Sequence, residues 1–277
     1  MKKKILSTIL AGAAVATMGA VSAQAATLDA VAGDIKFLYD GFDAAQVSYS
    51  VDCATEAACD ASSASVWAPG ANQANDTYGY ASVSSIKEIG GFGNLWNAGD
   101  DGDFLFAYFY GFNDYKVDGI GTGSTDIFST GGNVDIYRVD ATFMGTFYNT
   151  FSDQDDIEAA LVGLTTYLEL DFVPGCDLIE ASATLCGNFD LTSLHGDSVG
   201  FAQAVGGAAL NKYPDDFRFE QSVKPCTFAF CDPATSFNID VESSSATTRA
   251  LPEPASLGLL GLGLVGLGLV ARRRKVA

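Results

Sequence analysis

Apolar and polar residues alternate with a period of two through much of the chain. Ile35, Phe37 and Tyr39, then Val47, Tyr49 and Val51, fall on every second position among polar or small neighbours. This is the pattern of strands with one buried face, and Asp40-Gly41 between the two runs reads as a turn. Tyr78, Tyr80, Ser82 and Ser84 share one face of a strand ending near Ile86, which Gly90-Gly91-Phe92-Gly93 breaks. Phe104 to Phe112 (FLFAYFYGF) is short, aromatic and unbroken by charge, as expected of a strand covered on both faces in the middle of a sheet. Asn133 to Val139 alternates after a turn at Gly131-Gly132, and Phe143, Gly145 and Phe147 suggest the next strand. Ser152 to Asp156 then starts a helix: capping residues and acids precede Ile157, Ala160, Leu161 and Leu164 at helical spacing. Strand periodicity returns at Tyr167–Val173, stops at Pro174-Gly175, and reappears once or twice within 189–209, along Phe217, Phe219, Gln221 and Val223, and along Phe237, Ile239 and Val241.

Many short strands joined by Gly, Asp and Asn turns predict a mainly β fold, a single β-sandwich or jelly-roll-like domain with one short helix. No internal repeat of fixed period occurs. Ser243 to Ala250 is rich in Ser and Thr and reads as a flexible spacer after a domain spanning 26–242.

The two ends follow a different pattern. Lys2, Lys3 and Lys4 precede an apolar stretch from Ile5 to Val21, and Ala23-Gln24-Ala25 is a small-x-small cleavage site. Residues 1–25 are therefore expected to be a signal peptide, removed by signal peptidase after passage through the Sec machinery. At the other end, Leu251-Pro252-Glu253-Pro254 leads into an uncharged run, 255–271, closed by Arg272, Arg273, Arg274 and Lys275. The prolines fix φ and favour extended backbone around Glu253. As a helix the run spans ~26 Å, just under a ~30 Å hydrocarbon core, and the basic tail 272–275 places it on the cytoplasmic side.

A Pro-Glu-Pro element, a short Gly/Leu-rich transmembrane segment and an Arg-rich end, in that order, resemble the PEP-CTERM sorting signal of Gram-negative bacteria. The resemblance covers about residues 251–277, with Pro252, Glu253 and Pro254 on the recognition motif. It implies processing by exosortase, a membrane-embedded cysteine protease/transpeptidase. It also implies a transient inner-membrane anchor, then the cell surface or extracellular matrix, in the setting of exopolysaccharide, biofilm or floc. Cargo domains of this family differ widely, so the signal leaves the activity of the middle of the chain open.

Charge sharpens the picture once the ends are set aside. The chain has 15 basic and 34 acidic residues. Seven of the basic and one of the acidic residues lie in the two end segments, leaving eight against 33 between them, a net −25. Such a surface repels nucleic acid and anionic lipid, and suits cations or plain solubility. The 19 Phe, 11 Tyr and 2 Trp all lie in the same middle region, ample for a packed core.

The six cysteines form three close pairs, Cys53/Cys59, Cys176/Cys186 and Cys226/Cys231. An even count in an exported chain reads as disulfides, local pairing being the simplest connectivity. A zinc site is not expected, since no CxxC occurs and His195 is the one histidine. His195 sits in a turn and Ser193 lacks a G-x-S-x-G setting, so neither reads as catalytic. Gly119-x-Gly121-x-Gly123 lacks the following helix that phosphate binding needs. Trp67, Trp96 and the tyrosines could stack on sugars, but read first as core.

Asp100, Asp101 and Asp103, before the aromatic strand, are the candidate ligands for Ca2+, and they read equally as an acidic turn. Asp153, Asp155 and Asp156 form a second acidic cluster that helix capping explains as well, and Asp114 and Asp118 flank another turn. No other cofactor is expected. The reading that follows is a non-enzymatic, exported extracellular protein, with polysaccharide as a candidate partner. Two alternatives stand beside it: a secreted carbohydrate-active enzyme using paired carboxylates, and a Ca2+-stabilised adhesion or carbohydrate-binding module.

Overall fold

A computed structural model describes residues 27–44, 54, 55, 57, 58, 77–91, 93–119, 122–147, 150–190, 192–225, 237 and 239–248. The signal peptide, the motif at Pro252, Glu253 and Pro254, the run 255–271 and its basic tail lie outside them. So do Trp67, the strand expected at 47–51, and Cys53, Cys59, Cys226 and Cys231.

Among the described residues ten strands form: β1 (Ile35–Ala44), β2 (Thr77–Glu88), β3 (Asn94–Asn97), β4 (Asp103–Asp118), β5 (Ser124–Asp140), β6 (Thr166–Val173), β7 (Leu185–Asp190), β8 (His195–Gly206), β9 (Asp216–Pro225) and β10 (Ile239–Thr248). Their hydrogen-bonded order is β1-β10-β9-β8-β6-β5-β4-β2, and β2 returns to pair with β1. Eight antiparallel strands thus close into an up-and-down barrel. β3 pairs β2, and β7 completes the wall between β5 and β8 where β6 has ended.

The mainly β expectation holds, but the sandwich gives way to one sheet rolled on itself. Alternation demands only that one face be buried, and either architecture supplies that. Long-range pairing decides between them: Phe37 meets Ile86 and Phe42 meets Tyr80 across the β1–β2 seam. Closure also removes the exposed edges that a sandwich must protect.

Two expected turns lie inside continuous strands instead. At Asp40-Gly41 the β1–β10 register slips, and a Cβ on Gly41 would stand 2.1 Å from the Tyr80 carbonyl oxygen. The chain passes straight through because glycine lets β1 approach β2 closely. Gly131 and Gly132, both at positive φ, lie within β5, and a Cβ on Gly132 would run into the Phe112 ring. The strand expected through Phe143 and Phe147 is a helix, α1 (Ala141–Phe147); the Asp140 carboxylate accepts from the Phe143 N–H at 2.8 Å and starts it. The expected helix forms as α2 (Gln154–Leu161), its N-terminus closed by a reciprocal pair: Asp153 accepts from the Asp156 N–H, and Asp156 from the Ser152 N–H. Residues 243–248, expected as spacer, are the second half of β10. Thr and Ser suit a strand whose alternate residues pack inward, and Ser244, Ala246 and Thr248 are buried.

Inside the barrel, Ile35, Phe37, Tyr39, Leu105, Ala107, Phe109, Phe217 and Phe219 belong to one continuous apolar cluster. Leu28 and Val31, in and after a short 3-10 turn, plug the end where β1 begins, here called the base. A second cluster covers the outer wall, where Ile157 and Leu161 of α2 with Phe143 of α1 pack on Tyr80, Phe106 and Tyr108. β4 therefore has both faces covered, as its unbroken apolar run predicts.

Candidate functional site

The acids singled out before β4 do not converge. Asp103 turns to Arg138, which also reaches Asp29 at 3.1 Å. Asp100 accepts from the Asn97 backbone N–H at 2.8 Å and from its side chain. Asp101 is exposed at a positive φ of 56°. Among the described residues no group of three or more His, Cys, Asp or Glu side chains is placed to hold a metal ion. Asp114 is buried and accepts from the Ser129 hydroxyl, and Asp118 pairs with Lys116 at 2.8 Å. His195 opens β8 on the exposed side of the β7–β8 hairpin. Ser193 sits in the preceding turn, its N–H bound to Asp190, which is held below the usual carboxylate range by backbone N–H groups of Thr192 and Ser193. Trp96 is fully buried in the barrel.

Three arrangements remain with chemistry to offer. The first is a cleft of ≈ 670 Å³ on the outer wall, running across β1, β10, β9, β8, β7 and the start of β5. Outward parity along these strands puts Lys36 and Arg218 at its base side and Asp126, Asp177 and Asp197 at the other. Its wall includes the Cys176–Cys186 disulfide, which closes the loop between β6 and β7. Asp177 stiffens that loop by accepting from the Ile179 and Glu180 N–H groups, and its carboxyl lies below the usual range chiefly through Glu180. Glu180 in turn ties the loop to Tyr115 and Lys116 of β4.

The second is a row on the outer wall: Tyr108 on β4, Asp135 on β5 and Glu169 on β6 stand directly opposite one another. Asp135 accepts from Tyr110 at 3.2 Å and Tyr137 at 3.4 Å. Burial raises its carboxyl; the Tyr110 donor opposes that, and the charges of Glu169 and Asp171 add to the rise. Tyr108 donates to Glu158 at 2.9 Å and accepts from Gln154, both on α2. These residues are not spelled by any motif. Their signal was the acid-x-aromatic and acid-x-acid spacing of Asp135/Tyr137 and Glu169/Asp171, but their meeting depends on strand register.

The third lies inside the barrel, away from the base. Asp43 is 8 % exposed, and burial pushes its carboxyl up to about 7. The nearby Tyr39 hydroxyl is raised, first by burial, with Gln221 and Asp43 the groups acting on it. Ser198 donates to Gln221 at 2.8 Å.

The chain leaves this barrel at Thr248, whose hydroxyl is tied to both backbone groups of Ile35. Two positions later begins a stretch, residues 250–275, that a family model describes as the PEP-CTERM protein-sorting motif. The chain carries a PEP-CTERM sorting motif. No curated protein and no solved structure matches it. The PEP-CTERM motif therefore follows the barrel wall almost directly. Among the described residues no helix is long and apolar enough to cross a membrane, and the run 255–271 lies outside them.

Proposed function

We propose that this chain is an exported substrate of exosortase whose barrel is delivered, without catalysing a reaction, to the cell surface or the exopolysaccharide matrix. The sorting motif at residues 250–275, set directly behind a closed barrel, carries the reading. On this account 1–25 directs export, 255–271 anchors the chain transiently, and cutting near Pro252-Glu253-Pro254 frees a barrel that keeps all its strands. The outer-wall cleft is the surface proposed for polysaccharide, since its mixed donors and acceptors around Phe128 suit hydroxyl groups and a sugar's apolar face. Cell fractionation of a Glu253→Ala variant tests the route: uncut chain should accumulate in the membrane, and normal release would reject the reading. Retention of the processed barrel on candidate polysaccharides, with and without Ca2+, tests the partner.

A second reading has one observation of its own. Asp135 and Glu169 face each other across β5 and β6, and burial raises the Asp135 carboxyl, as suits one member of the carboxylate pair a glycan hydrolase uses. Loss of any glycan-cleaving activity in Asp135→Asn and Glu169→Gln, with folding intact, would favour it.

A further inference from the structure

A layer of buried rings, Tyr39, Phe109, Phe219, Phe172 and Phe112, crosses the barrel at mid-height, neighbouring centroids lying 4.9–6.5 Å apart. Beyond it, toward the distal end (the end away from the base), side chains still alternate in and out, but the inward ones are less buried. Ile127, Ser198, Gln221 and Val223 all point inward and are only half-buried. The interior therefore stays accessible above the rings. Gly187 lies at the same level, directly opposite Ile127 on one side and Ser198 on the other. It has no positive φ, and a Cβ there would meet no atom closer than 3.9 Å. A glycine inside a strand weakens it, and with no close contact to require it, this one leaves the wall concave.

Polar groups converge around that concavity. Ser198 donates to Gln221 at 2.8 Å. Gln221 and Asp43 both act on the Tyr39 hydroxyl, which is buried without a well-formed hydrogen bond. Asp43 itself points inward beside Gly79 and is 8 % exposed. Among the described residues it has no hydrogen-bond or ion-pair partner. Asp114, another buried acid of this region, does have one, the Ser129 hydroxyl. The described cations of the distal half, Lys116 and Lys224, are both paired with carboxylates on the outer wall. A buried carboxylate without a partner is costly, and the packing around Asp43 gives no reason for one.

We propose that the distal interior is a binding site for a small organic cation, a primary ammonium on a compact apolar body. The ammonium donates to the Asp43 carboxylate, and the Tyr39 and Gln221 oxygens accept its other hydrogens. The body rests on the ring layer, between Ile127 and Val223 and in the space that Gly187 leaves. An unpaired carboxylate above aromatic rings favours a cation over a neutral or anionic ligand. An eight-stranded barrel is wide enough inside for one such molecule. The inference does not depend on the sorting route.

Equilibrium dialysis of the full chain in detergent tests this with cyclohexylamine, cyclohexanol and cyclohexanecarboxylate, which share a body and differ in charge. At pH ~8.5 Asp43 is ionised and the amine is protonated. The amine should bind saturably and about tenfold or more tighter than the alcohol, as a hydrogen bond to a charged group allows, with the carboxylate weakest. Asp43→Asn should erase that preference by weakening the amine alone. Gly187→Leu, with its near-ultraviolet circular dichroism unchanged, should lose amine and alcohol together, because its side chain takes the place of the body. Equal binding of amine and alcohol to the unaltered chain, or a preference that survives Asp43→Asn, would overturn the proposal. So would a folded Gly187→Leu variant that binds the amine as well as the unaltered chain does.

Discussion

At the base, Leu28, Val31, Ile35, Trp96 and Phe217 fill the barrel with apolar side chains, and the connections are short or helical. At the distal end the same inward positions carry Asp43, Asp114, Ser129, Ser198 and Gln221, and two of the connections are long, 45–76 and 226–238. Four of the six cysteines lie in those two connections. The base is therefore built to seal and to pass the chain toward its sorting motif. The distal end instead holds polar groups within its interior. Barrels separate these tasks readily, because inward positions recur along every strand and each level of the interior can be composed independently.

Trp96→Ala should break the comparison at the base most severely, costing about 3–5 kcal/mol in urea unfolding of the processed barrel, as large core truncations do. Trp96→Phe should cost far less, because the indole N–H has no partner among the described residues and its loss leaves nothing unsatisfied.

Asp43→Asn probes the distal interior, with the opposite sign. The folded-state carboxyl titrates near 7 against 3.8 for the ordinary group. Between those values the folded barrel binds the extra proton, so its stability falls as pH rises through the window and stays low above it. Each pH unit between the two values corresponds to about 1.4 kcal/mol. The neutral amide should therefore stabilise the barrel by roughly 2–4 kcal/mol at pH 8, and by almost nothing below pH ~4. A variant with an unchanged pH profile would place that carboxylate in water.

Strand identity was legible wherever alternation was strict: Phe217, Phe219 and Gln221, or Tyr78 and Tyr80, appear where their period places them. Barrel closure was not, because the decisive pairs, such as Phe37 with Ile86, are far apart in the chain and any buried face satisfies the same pattern. Glycines misled for a related reason. Gly41 and the pair Gly131-Gly132 look like turns but serve close strand contact, which only three-dimensional neighbours reveal. Of the chemistry, the sorting motif was legible as contiguous residues, whereas Asp135 opposite Glu169 exists only through register.

The Cys176–Cys186 bridge joins the middle of the wall to the cleft, and its loss should sharpen the contrast by affecting neither end. A ten-residue separation corresponds to about 2–3 kcal/mol of loop-closure entropy. Cys176→Ser/Cys186→Ser should lower the urea midpoint accordingly. Retention on any polysaccharide that binds the cleft should fall by more than the stability loss explains, because Asp177 and its loop lose their position.

Arg138→Ala should be the mildest change, and it separates the base's ion pairs from its apolar seal. The guanidinium is 40 % exposed and shared between Asp103 and Asp29, so water and salt screen it. The cost should be roughly 0.5–1 kcal/mol at neutral pH and low salt. Asp29 is held below its ordinary 3.8 chiefly by the hydrogen bond from Arg138. That contribution is present above the ordinary value and is lost as pH falls through the lowered one. The variant's deficit should therefore shrink both in acid and in molar salt, while that of Trp96→Ala persists in each. A deficit for Arg138→Ala that ignored salt would mean that the N-terminal plug depends on this network as much as on Leu28 and Val31.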